Sequence, residues 1–201
     1  MKNVLLTSTG LQYNAVAEKF LSVIPKPANE LKILFIPTAS RTDEEMMFVK
    51  KSENELLSVG VNKDNIFWFD VDDKSANYGS ADFDCVYVCG GNTFYLLKKL
   101  KESGYFTKLL DWINNGILYV GTSAGSVIAA PDINYILCMD TNDCNLNDTS
   151  GFSLISSSLI PHYTEEFAES ASIFRRENGN VLTISDNQAL YLSDKGVEMV
   201  E

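Results

Sequence analysis

The sequence predicts an α/β protein built on a mostly parallel sheet. Three observations carry that expectation. Short apolar runs alternate with amphipathic helical patterns through the first half of the chain, the order that βαβ units produce. Two glycine-rich turns, Gly90-Gly91-Asn92 and Gly121-Thr122-Ser123-Ala124-Gly125, each follow an apolar run. Such turns sit beyond the carboxyl ends of strands, where parallel sheets bind their ligands. With 201 residues, 45% hydrophobic and 21% charged, the chain is long enough for one sizeable core. Residues 1–201 therefore read as a single domain.

Residues 3–7 read as the first strand. Residues 11–24 repeat apolar positions at helical spacing, with Val16, Ala17, Phe20, Leu21 and Ile24 on one face. Pro25 and Pro27 stop that helix. Residues 31–36 form a second buried strand, ended by Pro37. Thr42 and Glu45 make a capping box for a helix running to about Val59, closed by Gly60. A third strand spans 66–69, and the polar stretch 70–79 is a surface loop. A fourth strand at 85–89 leads through Gly90-Gly91-Asn92-Thr93 into a helix over 94–101. Residues 105–114 are a further helix, with Phe106, Leu109, Leu110 and Ile113 inward and Gly116 past its end.

Ile117-Leu118-Tyr119-Val120 then reads as a buried strand, and the small residues from Ala124 onward suit the start of a packed helix. The G-x-S-x-G between them describes a sharp strand-to-helix turn that exposes the serine side chain. The first amides of the following helix point at the same place and can stabilise a developing oxyanion. With glycine near ~7% of residues, the pattern arises by chance in roughly one chain in fifteen of this length. Its weight therefore comes from the strand before it and the helix after it. The competing reading is a tight turn with a serine N-cap.

After Ala130 the texture changes. Residues 132–150 are rich in Asp and Asn and read as a long loop or small excursion beside the site. A short strand at 159–160 leads into Pro161-His162-Tyr163-Thr164. Residues 165–177 suit a helix and 178–180 a turn. Closing strands are expected at 181–184, 189–192 and 197–200, the last two joined by a hairpin turn over 193–196.

A serine hydroxyl needs a base to become nucleophilic, and histidine is the usual one. The chain has one histidine, His162, just after a short apolar strand. A carboxylate must orient the imidazole. Asp186 is the best placed, with Asp140 and Asp143 as alternatives. Asp186 beside Asn187 equally suits a turn. The order Ser, His, acid differs from the Ser, acid, His order of α/β-hydrolases and counts against an ordinary lipase or esterase of that fold. The amides of Gly90-Gly91-Asn92 can donate a second oxyanion hydrogen bond, the alternatives being a phosphate loop or a plain tight turn. Tyr163 and Thr164 can line a pocket or simply pack.

Composition narrows the partners. Sixteen basic against 27 acidic residues give a net charge of −11, with no concentrated basic run. Phosphate backbones and anionic membrane surfaces would be repelled, so neither nucleic acid nor a membrane is expected. The apolar start is too short for a signal peptide, and no run approaches the roughly twenty apolar residues of a span. A cytoplasmic protein is the expectation. Of the four cysteines, Cys85 and Cys89 flank a buried strand and behave as small apolar residues. No cysteine spacing is supported by nearby histidines, so no metal, cofactor or disulfide framework is expected.

Taken together, these motifs resemble the dipeptidase E family of serine peptidases, which includes alpha-aspartyl dipeptidase and, more distantly, cyanophycinase. The resemblance covers nearly the whole chain. It rests on Gly90-Gly91-Asn92-Thr93-Phe94, on Gly121-Thr122-Ser123-Ala124-Gly125, on Pro161-His162-Tyr163 and on Ser185-Asp186-Asn187-Gln188-Ala189-Leu190. It implies a three-layer α/β/α sandwich with a mostly parallel central sheet, flavodoxin-like and similar to class I glutamine amidotransferases. Serine would replace the cysteine of those enzymes. Ser123 would be the nucleophile, His162 the base, and the amides of Gly91 and Ala124 the oxyanion hole. Asp186 matches a glutamate of the family, one methylene longer. Asn92, Tyr163 and Thr164 are candidate substrate contacts.

Two departures stand out. Where the family's assigned aspartate falls after the serine, this chain has Cys138, with Asp140 nearby. Where aspartyl dipeptidases carry a substrate-binding arginine, it reads Glu169-Ser170-Ala171-Ser172, with Arg175 and Arg176 only later. A preference for N-terminal aspartate is therefore not expected. The expected activity is hydrolysis of short peptides by a monomer or homodimer. The rivals are another acyl hydrolase (of esters or side-chain amides) and a family member that binds a peptide or metabolite without cutting it.

Overall fold

The structure, a computed structural model, describes residues 2–73, 75–167 and 180–201. In chain order the strands are β1 (Asn3–Thr7), β2 (Ile33–Ile36), β3 (Ile66–Trp68), β4 (Cys85–Val88), β5 (Leu118–Thr122), β6 (Ser158–Ile160), β7 (Val181–Thr183), β8 (Ala189–Ser193) and β9 (Gly196–Val200). The helices are α1 (Asn14–Val23), α2 (Asp43–Ser58), α3 (Thr93–Glu102), α4 (Tyr105–Asn114) and α5 (Ala124–Val127). Seven strands form one sheet in the order β3-β2-β4-β5-β1-β8-β9. The first five in that order are parallel, and β8 and β9 add an antiparallel edge.

Alternation along the central strands divides the core into two layers. Val4 and Leu6, Leu34 and Ile36, Val86 and Val88, and Tyr119 pack with the face that α3, α4 and α5 cover. Their neighbours Leu5, Ile33 and Phe35, Cys85 and Tyr87, and Leu118 and Val120 pack on the opposite face, with Val16 and Phe20 of α1 and Val49 and Leu56 of α2. Every residue of β2, β4 and β5 is buried, as strands covered on both faces must be. The result is the three-layer α/β/α sandwich that the resemblance implies. No helix of the described residues is long and apolar enough to cross a membrane.

The structure corrects several element boundaries. The first helix starts at Asn14 rather than at residue 11, and Leu21 on its supposed inner face is 42% exposed. Residues 8–13 instead form the turn at the carboxyl end of β1, where the buried Leu11 has its N–H held by Glu55 Oε2 at 2.8 Å. In α4 the buried face centres on Tyr105, Leu109, Trp112 and Ile113, with Phe106 and Leu110 only partly covered. The helix after β5 lasts one turn. Its continuation is broken because the carbonyls of Ile128, Ala129 and Ala130 accept from Phe152, Leu154 and Ser153. The stretch at 181–184 does not join the main sheet. It pairs in parallel with β6 as a separate two-stranded ribbon. Of the helix expected over 165–177, only Glu165–Phe167 is described, as one 3-10 turn. Residues 168–179, with Arg175 and Arg176, lie outside the described residues.

Beneath the sheet's carboxyl edge, the position of Glu55 yields a testable consequence. Burial raises its pKa above the ordinary carboxylate value, opposed by its bond to the Leu11 amide and by Lys51. Its Oε1 is buried without a hydrogen-bond partner among the described residues. A carboxyl group that holds its proton more tightly when folded favours folding as pH falls through its titration and opposes it above. Glu55→Gln is therefore expected to raise Tm at pH 7, and the gain should shrink as the pH is lowered toward 4. Thermal melts of both proteins across that range check this. A lower Tm for the variant at pH 7 would contradict it.

Candidate active site

The strand-to-helix turn at Ser123 departs from ordinary backbone geometry. Ser123 lies at φ 50° and ψ −109°, a region that costs a side-chain-bearing residue roughly 1–3 kcal/mol. The bend thus falls on the serine, not on its flanking glycines as the motif suggested. Gly125 serves a different need, since a Cβ there would lie 2.3 Å from the carbonyl oxygen of Val88. A neighbouring strand fastens the turn. The Ser123 N–H donates to Thr7 O at 3.1 Å, and the buried Ser126 hydroxyl sits between Thr7 O and Gly121 O at 2.7 and 2.8 Å.

His162 and Asp186 reach this turn together because of the small ribbon. Ile160 of β6 is in register with Thr183 of β7. Beyond it the chains stay bonded, with Ile184 N–H donating to Ile160 O and Tyr163 N–H donating to Ile184 O. Two segments distant in sequence therefore leave the ribbon side by side. Asp186 then turns into β8, whose first residue pairs with Thr7 at the carboxyl edge of β1.

The resulting line of contacts is continuous. Ser123 Oγ lies 3.0 Å from His162 Nε2, and His162 Nδ1 lies 2.7 Å from Asp186 Oδ1. A carboxylate accepts only, so Nδ1 carries the proton and Nε2 is left to accept from the serine hydroxyl. Side-chain exposures of 40% for His162 and 54% for Asp186 leave the pair half in water. His162 also adopts a positive φ of 54°, which nothing in the sequence signals. Sequence reasoning also passed over Ser8, whose hydroxyl contacts both residues.

Other candidates fall elsewhere. Asp140 caps α3, its two oxygens accepting from Asn92 Nδ2 and from the Thr93 N–H, each at 2.6 Å. Asp143 is ion-paired with Arg41 at 3.1 Å. The alternatives to Asp186 are thus engaged away from the imidazole. Asn92 lines a cleft beside Ser123, but its side chain also caps α3, with Oδ1 accepting from Tyr95 N–H and Nδ2 donating to Asp140 and to Thr141 O. Tyr163 packs against the apolar layer and Thr164 is exposed, both outside the linings of the two clefts at the serine.

Gly91 is held at φ 130° between β4 and α3, where a Cβ would lie 2.3 Å from Ala39 O. Its N–H and that of Ala124 make no hydrogen bond among the described residues. Two clefts, of about 460 and 200 Å³, meet at Gly91, Ser123 and His162. Glu45 lines both, and Lys51 lines the larger, where its ammonium contacts Gln12. Glu45 is fixed by the expected capping box, its Oε2 accepting from the N–H groups of Arg41 and Thr42 at 2.7 and 2.9 Å. Cys89, also in the larger cleft, is kept as a neutral thiol by burial, which pushes its pKa well up. No group of His, Cys, Asp and Glu able to hold a metal occurs among the described residues.

Comparison with known proteins places the chain as a whole. A profile of peptidase family S51 matches residues 4–200. An uncharacterized peptidase of Listeria monocytogenes serovar 1/2a is 32% identical over 205 residues, covering 98% of this chain and 97% of the relative. Peptidase E of Salmonella typhimurium is 33% identical over 173 residues, covering 84% and 72%. A crystal structure of a candidate Peptidase E from Listeria monocytogenes EGD-e superposes with a TM-score of 0.82 at 31% identity, covering 99% of this chain and 98% of that one. Match length and fold point the same way: the chain belongs to peptidase family S51 and is a peptidase.

Proposed function

We propose that the protein is a serine peptidase that hydrolyses short peptides through an acyl-enzyme. The observation that carries this reading is the unbroken line from Ser123 Oγ through His162 to Asp186, at 3.0 and 2.7 Å, on the strained turn. Ser123 Oγ attacks the peptide carbonyl while His162 Nε2 takes its proton. The carbonyl oxygen becomes an anion that the free N–H groups of Gly91 and Ala124 stabilise. His162 then gives the proton to the amine nitrogen, the C–N bond breaks, and the amine departs. Water, deprotonated by the same imidazole, attacks the Ser123 ester and releases the acid. Asp186 holds Nδ1–H throughout and offsets the charge of the imidazolium.

Electrostatics of the clefts support a short substrate. Glu45 and Lys51 bring opposite charges to the larger cleft beside the serine, which Asp186 also lines, and Asp140 adds a carboxylate to the smaller one. A short peptide carries an ammonium and a carboxylate a few ångströms apart and complements Glu45 and Lys51. A partly exposed charge contact is worth up to about 1 kcal/mol, so acetylating the amine and amidating the carboxylate is expected to lower kcat/KM by about tenfold. A panel of free and doubly blocked dipeptides, with matched esters and side-chain amides, tests this. Preference for the esters or side-chain amides would favour another acyl transfer, and binding with no turnover of any member would favour a binding-only protein.

A further inference from the structure

Ser8 follows β1 directly and is fully buried. Among the described residues its hydroxyl has three hydrogen-bonding neighbours, all on His162 and Asp186. Oγ accepts the backbone N–H of His162 at 2.8 Å, donates to Asp186 Oδ1 at 3.0 Å, and lies 3.2 Å from His162 Nδ1. The adjacent Thr9 hydroxyl donates to Asp186 O at 2.8 Å. The β1 end thus grips Asp186 by both its side chain and its backbone.

We infer that Ser8 is a positioning residue for the His162–Asp186 pair, a role that rests on the proposed serine mechanism. Asp186 sits on a turn with its carboxylate half exposed, so water competes for its oxygens and its rotamer is not fixed by packing. The Ser8 O–H occupies one direction at Oδ1 and leaves the remaining lone pair for the Nδ1–H of His162. The bond from the His162 N–H to Ser8 Oγ also holds the histidine in its positive-φ conformation. One hydroxyl therefore sets both ends of the contact that gives the imidazole its tautomer and aim. Relays of this kind are sensitive to small misplacements, because the reacting geometry must be met before the proton moves.

A buried serine that merely satisfies a backbone amide would show the same static contacts, so the test must separate the two roles. A double-mutant cycle does so. The rate of Ser123 modification by a fluorophosphonate probe is measured for the intact protein, Ser8→Ala, Asp186→Asn and the double variant. A hydrogen bond to a charged group supports a loss of about tenfold for Ser8→Ala alone. In the Asp186→Asn background the same change is expected to cost no more than about threefold, because the Nδ1–H···carboxylate contact that Ser8 positions is already lost and only its bond to the His162 N–H remains to break. Losses that multiply in the double variant would overturn the inference and leave Ser8 a structural residue. If Asp186→Asn left labelling unchanged while Ser123→Ala abolished it, the orienting role of Asp186 would fail and the Ser8 role with it. Should Ser8→Ala not fold, Ser8→Cys fills the site with a slightly larger atom and a weak donor and carries the same cycle.

Discussion

Ser123→Ala is expected to lower kcat by at least about 10³-fold and to abolish fluorophosphonate labelling, with Tm changed by no more than a few degrees. The kinetic part follows because nucleophile, base and orienting acid act as a unit, so losing one forfeits nearly all they contribute together. The stability part follows from geometry. The serine hydroxyl has one partner among the described residues, His162 Nε2 at 3.0 Å, and that imidazole is 40% exposed. Its loss leaves no buried group unpaired. Alanine keeps the Cβ and hence the strain at φ 50°. Ser123→Gly should be equally inactive yet more stable by up to about 1 kcal/mol, since glycine adopts that conformation freely. A strained nucleophile that stabilises the protein when replaced by glycine is the stability–activity trade-off expected of a functional residue. Turnover by Ser123→Ala at the rate of the unaltered protein would end the serine mechanism, whatever the stability result.

Much of this arrangement is legible in the linear chain, and the parts that are not share a physical cause. The sheet is legible because its strands are covered on both faces and read as apolar runs punctuated by Gly and Pro, as at Ile33–Ile36 and Cys85–Val88. The Thr42–Glu45 box is legible because both partners sit within one helical turn. Local rules cannot foresee contacts made across the fold. The pairing of β6 with β7 that delivers His162 and Asp186 depends on which strand finds which. Single-turn α5 ends early because loop residues 152–154 capture the carbonyls a longer helix would use. Leu21 has helical spacing but faces solvent, because periodicity marks a face without saying how much of it is covered. Ser8 did leave a signal. Thr7-Ser8-Thr9-Gly10 is a polar run directly after a buried strand, the same position that drew attention to Gly90 and Ser123. Read with the rule that parallel sheets gather their chemistry at the carboxyl edge, it marks a third loop of the site.

The identity of the orienting acid separates two readings of the chain, and Asp186→Asn against Asp140→Asn decides between them. Asp186→Asn is expected to lower kcat by about 10³-fold. An amide can present an N–H to Nδ1 where the carboxylate accepted one, which moves the imidazole proton to Nε2 and removes the acceptor for the Ser123 hydroxyl. The effect should fall short of the ~10⁴-fold seen when a buried triad aspartate is replaced, because Asp186 is half exposed and water offsets part of its charge. Asp140→Asn should behave differently. Its two 2.6 Å bonds hold Asn92 and the first turn of α3, so the change is expected to cost about 1 kcal/mol of stability, as the loss of a helix cap does, and to lower kcat no more than a few-fold. Paired melts and steady-state kinetics on the same preparations read both outcomes. Near-normal turnover after Asp186→Asn, with turnover lost after Asp140→Asn at unchanged Tm, would transfer the acid to the loop that follows the serine and leave Asp186 as a turn residue. The geometry opposes that outcome: both Asp140 oxygens are engaged at the start of α3, whereas Asp186 Oδ1 lies 2.7 Å from the nitrogen it must orient.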